Sequence, residues 1–143
     1  MKKLFSFLSL CIALALPTVA WATSTIALAS AARTTTTNCA DTVKVNERSA
    51  LLFMNVTAVP GIDTVSLGIQ AKDASGAYFT IASTTASAAA VLHELNIVPG
   101  APAIVGVSTA QSGYMLPDTY RCIVIHSGAG SFTYSVTLQT TFN

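Results

Sequence analysis

Residues 131–142 carry the pattern that most limits what this chain can fold into. Every second side chain falls on one face, and this face is largely aromatic or aliphatic: Phe132, Tyr134, Val136, Leu138, Thr140 and Phe142. The residues between them are small or polar: Ser131, Thr133, Ser135, Thr137, Gln139 and Thr141. Strict alternation in such residues is typical of a strand with one buried face. Residues 119–127 form a second apolar segment, and the Gly-rich stretch 127–130 predicts that the two strands are joined as a hairpin.

The rest of the chain continues the β pattern. Further strands are predicted in the segments 42–47, 50–59, 63–72, 77–82, 91–98 and 103–109. Turn signals rich in Gly, Pro, Asp or Ser separate them. The Ala-rich stretch 86–90 favours a helix, but residues 91–98 alternate and their neighbours are strands. The fold class predicted is all-β, an antiparallel β-sandwich or jelly roll of about seven or eight strands.

The first 22 residues read as an export signal. Lys2 and Lys3 precede an apolar run over residues 4–16, Pro17 follows, and small residues flank a cleavage position after Ala22. The run is too short to span a bilayer comfortably, so cleavage is favoured over an uncleaved anchor. The predicted organisation is therefore a signal peptide, 1–22; an N-terminal arm or edge strand, 23–49; and a sandwich domain, 50–143. The mature protein is expected in the periplasm or outside the cell, with no stable membrane span.

Residues 23–33 hold few large apolar side chains. Ile26 and Leu28 stand in a background of Ala, Ser and Thr, and Arg33 ends the segment. The segment is interpreted either as a first edge strand or as an extended arm that docks on a neighbouring copy. In the second case Ile26, Leu28 and Arg33 are the candidate contacts of an oligomer arm.

Two cysteines, Cys39 and Cys122, remain once the signal is removed. An even number of cysteines in an exported chain indicates a disulfide bond. Closing so long a loop is worth about 4–5 kcal/mol as an upper figure in the chain-entropy model. The alternative is two unrelated buried thiols.

Charge and motifs exclude several classes of function. Charged residues make up 9% of the chain, and without Lys2 and Lys3 the remaining five basic and six acidic side chains give a net charge of about −1. Binding of nucleic acid through a basic surface is therefore not expected. The cysteine and histidine spacings of metal sites and the Gly-rich phosphate loop are missing, so no metal and no cofactor are predicted.

No residue is assigned a catalytic role. His93 and His126 each lie inside a predicted strand, where a histidine is usually a hydrogen-bonded or solvated side chain. The aspartates Asp63, Asp73 and Asp118 lie at turns or strand starts, where aspartate commonly accepts hydrogen bonds from the backbone. An enzyme is thus the third choice among the functions considered.

Three tyrosines are candidates for a ligand-binding surface. Tyr78 and Tyr114 are the predicted contacts, and Tyr120 is a third aromatic of the same kind. An amphipathic tyrosine ring suits contact with a glycan. Packing at the edge of the core or in a turn is the alternative.

Several stretches resemble a group of small structural proteins of tailed phages, namely residues 28–38, 54–59, 69–81, 116–121 and 126–136. The more specific are the Lys72-Asp-Ala-Ser-Gly-Ala-Tyr78 turn and the Leu116-Pro-Asp-Thr-Tyr-Arg121 entry into the final strand pair. The resemblance implies a β-sandwich of the head-decoration or cement type on the virion exterior. It also implies non-enzymatic binding to a capsid lattice, often as a homo-oligomer.

Two functions follow from these observations. The first is a non-enzymatic structural protein that acts by packing and oligomerisation on a surface, with a capsid or cell-surface lattice as partner. The second is an exported β-sandwich binding module for glycans or other cell-surface ligands.

Overall fold

The computed structural model describes residues 22–106 and 108–142, so all of the predicted signal segment except Ala22 lies outside the described residues. The described residues contain no helix and form ten strands: β1 (Ala22–Arg33), β2 (Thr37–Asn38), β3 (Thr42–Val43), β4 (Glu47–Ala58), β5 (Val65–Lys72), β6 (Tyr78–Ser83), β7 (Leu92–Ile97), β8 (Thr109–Ser112), β9 (Thr119–His126) and β10 (Phe132–Phe142).

β10 lies inside the first sheet, sheet I, whose strand order is β1-β10-β4-β7-β8. It pairs antiparallel with β1 on one side and with β4 on the other. Its predicted alternation is confirmed, because Phe132, Tyr134 and Val136 are buried while the residues between them are partly exposed. β4 supplies the neighbouring row of buried side chains, Leu52, Met54 and Val56.

Sheet II packs against this face. Its strand order is β2-β9-β5-β6, and the short strand β3 also pairs with β9. The two sheets enclose one apolar core, to which sheet II contributes Val65, Leu67, Ile69, Tyr120, Cys122 and Val124. The predicted fold class is therefore confirmed: the protein is an all-β sandwich, with ten strands where about seven or eight were predicted.

The predicted hairpin between residues 119–127 and 131–142 is wrong. β9 belongs to sheet II and β10 to sheet I, so residues 127–131 pass from one sheet to the other. The glycines let the backbone of this segment approach Asp63 closely, because a Cβ on Gly128 or Gly130 would collide with the Asp63 carboxylate. Oδ2 of Asp63 also accepts a hydrogen bond of 2.7 Å from the Gly130 N–H. A Gly-rich segment suits a hairpin turn and a crossing between sheets equally well.

Two further sequence predictions can be compared with the structure. Residues 91–98 were predicted as a strand, which β7 confirms, and the Ala-rich stretch 86–90 does not form a helix. The strand predicted at 103–109 is wrong, because β8 spans Thr109–Ser112 and pairs in parallel with β7. Gln111 of β8 also exchanges two backbone hydrogen bonds with Ile104, so the chain turns back between these two residues.

Candidate functional site

β1 is the longest strand at an edge of the sandwich. It pairs with β10, and in the described part of the chain no strand covers its other side. The other edge strands are shorter: six residues in β6, four in β8 and two each in β2 and β3. From Ala22 to Ala32 the strand contains no charged residue and no proline. Long edges without such features readily pair with another chain, whereas short or charged edges do not.

The three candidate residues of the oligomer arm have different environments. Leu28 lies opposite Val136 and packs, partly buried, against the core. Ile26 lies opposite Thr137, and 75% of its surface is exposed. Arg33 ends the strand opposite Phe132. Leu28 is thus anchored in the core, Ile26 is exposed, and Arg33 reaches into a polar network.

Arg33 holds the end of β1 against the core. Its guanidinium donates hydrogen bonds to the carbonyl oxygens of Tyr134 (2.9 Å) and Ala29 (2.8 Å), and its carbon lies 4.7 Å from the centre of the Tyr134 ring. Bonds from a charged donor are stronger than neutral ones. The Tyr134 hydroxyl lies 3.1 Å from Nε2 of His126 on β9. Arg33, Tyr134 and His126 therefore connect β1, β10 and sheet II at one end of the sandwich.

Burial changes the proton affinity of both ring residues in this network. Burial, and then the positive charge of Arg33, lower the pKa of His126 below its ordinary value. Burial raises the pKa of Tyr134. Both effects favour the neutral form, because a charge is poorly solvated there.

A cavity of about 170 Å³ lies beneath the first half of β1. Thr25, Ile26 and Ala27 line it from the strand, and the residues opposite include Leu52, Leu138 and the pair Cys39 and Cys122. Protein interiors are normally close-packed, and atoms beside a void lack part of their dispersion contacts. The side chains of this half of β1 therefore add little to the stability of the core.

The predicted disulfide bond is present. Cys39 and Cys122 are bonded, with their Cα atoms 5.1 Å apart and a sequence separation of 83. The Cys39 N–H also donates a 3.0 Å hydrogen bond to the carbonyl oxygen of Cys122. The bond thus fastens the chain just after β2 to the central part of β9.

Tyr78 belongs to a charged cluster on sheet II. Its hydroxyl donates to the Asp41 carboxylate at 2.6 Å, and the Arg121 guanidinium carbon lies 3.5 Å from its ring centre. Lys72 forms an ion pair of 3.0 Å with Asp41. The Tyr78 hydrogen bond, followed by that of Lys72, lowers the pKa of Asp41. Both polar and aromatic parts of Tyr78 are thus engaged within the protein.

Tyr114 lies elsewhere, in a groove of about 820 Å³ between β6 and the loop that follows β8. Its exposed fraction is 64%, and that of the neighbouring Met115 is 75%. Phe79, on the opposite wall, is 51% exposed. Lys44 fixes the loop, since its Nζ donates to the Leu116 carbonyl oxygen at 3.2 Å. Tyr114 therefore borders an accessible apolar groove, whose lining does not include Tyr78.

Tyr120 is a core residue. Its side chain is fully buried, and it belongs to the apolar cluster between the sheets. Burial, with a smaller effect from Glu47, raises its pKa to about 12. The interpretation of Tyr120 as a surface contact is wrong, because residue 120 is on the inward face of β9.

The histidines are in separate sheets. His93 is buried on β7, and its Nδ1 lies 3.1 Å from the hydroxyl of Thr84, which in turn accepts the backbone N–H of Leu67 at 3.0 Å. His126 lies on β9 beside Tyr134. The histidines thus take part in contacts that join the two sheets.

Two of the three turn aspartates, Asp73 and Asp63, accept backbone N–H groups as predicted. Asp73 accepts the N–H groups of Ser75 and Ala77, both at 2.8 Å, and the Ser75 hydroxyl. These hydrogen bonds lower the pKa of Asp73, and the bond from the Ser75 side chain has the largest effect. Asp63 accepts from Gly130, as described above.

Several residues of these sites were missed by sequence reasoning. Phe79 pairs with Ala71 in the ladder but is 51% exposed on the wall of the groove. The contact of Lys72 with Tyr78 had a signal, because a turn at 73–76 places the two opposite each other in the ladder. Asp41 had none, since it reaches the cluster through tertiary packing.

The described part of the chain offers neither a metal site nor a membrane-spanning helix. No group of three or more His, Cys, Asp or Glu side chains among residues 22–106 and 108–142 is placed to hold a metal ion. The described residues also contain no helix that is long and apolar enough to cross a bilayer. Comparisons with protein-family models, with curated proteins and with solved structures find no match to this chain.

Proposed function

We propose that this chain is an exported, non-enzymatic structural protein that acts by packing and self-association on a surface, in the manner of the phage head-decoration proteins it resembles. The partner is a second copy of the chain within a capsid or cell-surface lattice. The proposal rests on one observation, the long uncharged edge of β1.

The edge supports self-association for a physical reason. A strand at a sheet edge presents unpaired N–H and C=O groups, and most proteins protect such edges by shortness, charge, proline or cover. β1 runs for 12 residues with no charge or proline before Arg33, and it leaves Ile26 exposed, although register shifts between Ile26 and Ala31 interrupt its ladder with β10. The remaining edge strands of the sandwich are shorter, at two to six residues. Association through β1 is therefore the contact that the sandwich best provides.

Export is supported by two independent features. Residues 1–22 have the sequence of a signal peptide. The Cys39–Cys122 bond suits an oxidising compartment, because thiols stay reduced in the cytosol. A periplasmic or extracellular location fits both, with the virion exterior as the alternative.

Sedimentation velocity of the exported protein, after removal of the signal segment, tests the proposal. We expect an oligomer at micromolar concentration and a monomer after deletion of residues 23–36, which removes β1 but keeps β2 and Cys39. Tyr114→Ala, on the far groove, is the matched control and should leave the sedimentation coefficient of the oligomer unchanged. An exported protein that sediments as a monomer at all concentrations would contradict the proposal.

The groove beside Tyr114 favours the second function, an exported module that binds glycans or cell-surface ligands. Its volume, about 820 Å³, falls in the range of small-molecule sites, and Tyr114, Met115 and Phe79 offer accessible apolar surface. Glycan-array binding lost in Tyr114→Ala but kept in Tyr78→Phe would support this function. A full chain that binds no glycan, or binds equally after Tyr114→Ala, would count against it.

A further inference from the structure

We infer that β1 pairs with β10 of a second copy, so that two chains exchange their first strands. The inference rests on the proposed self-association through β1, but it places the contact on the side of β1 that pairs with β10 and not on its free edge. Exchange reproduces in the dimer the β1–β10 ladder seen within one chain, and therefore needs no new interface.

The first observation is how β1 is held. Its inward positions near the N-terminus are polar, with Thr23 Oγ1 2.9 Å from Thr140 Oγ1, and the cavity lies beside Thr25. Most of its side chains are exposed, and only Ala27, Leu28 and Arg33 are partly buried. The ladder of main-chain hydrogen bonds to β10 is therefore the chief attachment of β1. Any copy of β10 can supply that ladder.

The second observation is the linker. Residues 34–36 bend the chain from sheet I towards sheet II, and all three are threonine. Tight turns normally use Gly, Pro, Asn, Asp or Ser, whereas β-branched threonine favours an extended backbone. The bend thus opposes the local preference of its own residues. In the exchanged form the linker can extend and join β1 to β2 as one continuous strand.

The third observation is the anchor on the far side of the linker. Cys39 is bonded to Cys122 on β9, and its N–H donates to the Cys122 carbonyl oxygen. β1 can therefore leave without releasing the chain beyond residue 37. The vacated side of β10 is then an open edge of 11 residues, which a β1 strand from a second copy fits by sequence and register.

A pair of cysteines placed across this ladder tests the inference. Thr23→Cys with Thr140→Cys puts two thiols where the hydroxyls lie 2.9 Å apart. The matched control is Ser49→Cys with Thr141→Cys, whose hydroxyls lie 2.5 Å apart across β4 and β10, a contact that exchange does not alter. Both variants are made in the full chain with Cys11→Ser, oxidised with glutathione disulfide, and run on a denaturing gel without reductant.

Exchange predicts a twofold increase in mass for the Thr23–Thr140 variant and an unchanged mass for the control. A cross-linked monomer, from a protein that sediments as an oligomer, would overturn exchange and leave self-association standing. A cross-linked monomer from a protein that sediments as a monomer would overturn both. Failure to cross-link in the Thr23–Thr140 variant alone would also overturn exchange, because β1 would then not lie on any β10.

A longer linker provides an independent measurement. Insertion of Gly-Ser-Gly-Ser after Thr35 allows a relaxed bend, which favours docking within one chain. The fraction of dimer in sedimentation should fall at least severalfold. The same insertion after Ala74, in the exposed turn between β5 and β6, should leave the dimer fraction unchanged. An unchanged fraction with the longer linker would contradict exchange.

Discussion

β10 and β1 lie side by side in sheet I, run antiparallel and have nearly equal lengths, 11 and 12 residues, yet they are held in different ways. β10 has a neighbour on each side and buries every second side chain, including Phe132 and Tyr134. β1 has one neighbour and exposes most of its side chains. Backbone pairing gives both the same local geometry, but burial of apolar surface supplies most of the free energy of folding. The comparison separates a strand that stabilises the core from one that can be exchanged.

The largest effect is expected for Phe132→Ala, which tests how much β10 contributes to stability compared with β1. Phe132 is fully buried on β10, and removing such a side chain should lower the free energy of unfolding by about 3–5 kcal/mol. Ile26→Ala on β1 should change it by no more than about 0.5 kcal/mol, because the side chain is exposed. Urea denaturation at one fixed protomer concentration measures both. Equal losses would mean that β1 contributes to the core as β10 does.

The disulfide tests whether the chain beyond β1 is anchored independently of β1. Replacing Cys39 and Cys122 together by Ser should lower the free energy of unfolding by about 2–5 kcal/mol, because the unfolded chain regains the freedom of a long loop. Denaturation of the oxidised and variant proteins measures the loss. Mass spectrometry of the non-reduced protein should also show a Cys39–Cys122 cross-linked peptide. Free thiols at both positions would remove the anchor from the comparison.

The two strands also differ in how well sequence predicts them. In β10 the period of two between large and small residues set the strand, its buried face and its core residues correctly. In residues 23–33 the Ala, Ser and Thr background has no clear period, so an edge strand and a detached arm remained equally acceptable. A strand that is held mainly by main-chain hydrogen bonds needs no alternation of apolar and polar side chains, so its sequence does not identify it.

Connections between strands were harder to predict than the strands. Residues 127–130 suggested a hairpin, because glycine in sequence does not distinguish a turn from a close approach to Asp63. β8 was placed too early, since its four residues, Thr109–Ser112, pair in parallel with β7 and show no alternation of large side chains. Of the candidate contacts, Cys39 and Cys122 were paired correctly from their number and context. Asp41 and Met115 were missed because tertiary packing creates their sites.

Arg33 gives a smaller test, confined to β1. Arg33→Ala removes hydrogen bonds to the Tyr134 and Ala29 carbonyl oxygens and should weaken docking of the strand by about 1–2 kcal/mol. Hydrogen exchange of the β1 amides, and of the β10 amides that donate to β1, should accelerate by roughly 5–30-fold, while the β10 amides that donate to β4 change little. Arg48→Ala, an exposed arginine on β4, is the control and should leave β1 unchanged. Equal acceleration of the β10 amides that donate to β4 would mean that β1 and β10 open as one unit.

The smallest expected effect concerns His126 on β9, whose pKa depends partly on Arg33 at the end of β1 and therefore on whether β1 is docked. Burial, and then the charge of Arg33, hold its pKa below the ordinary value of about 6.5. Because the fold favours the neutral ring, the stability it contributes is complete above that ordinary value and is lost as the pH falls through the lower, folded pKa. His126→Gln should therefore reduce the loss of stability between pH 7.5 and pH 5.

An NMR titration of His126 measures the same effect directly. In Arg33→Ala its pKa should rise only partly towards the ordinary value, since burial is the larger cause and Tyr134 still covers the ring. Arg48→Ala should not change the titration. A His126 pKa that is ordinary in the native protein, or unmoved by Arg33→Ala, would mean that the end of β1 does not lie on β10 in solution. The proposed difference between the two strands would then lose its structural basis at that end.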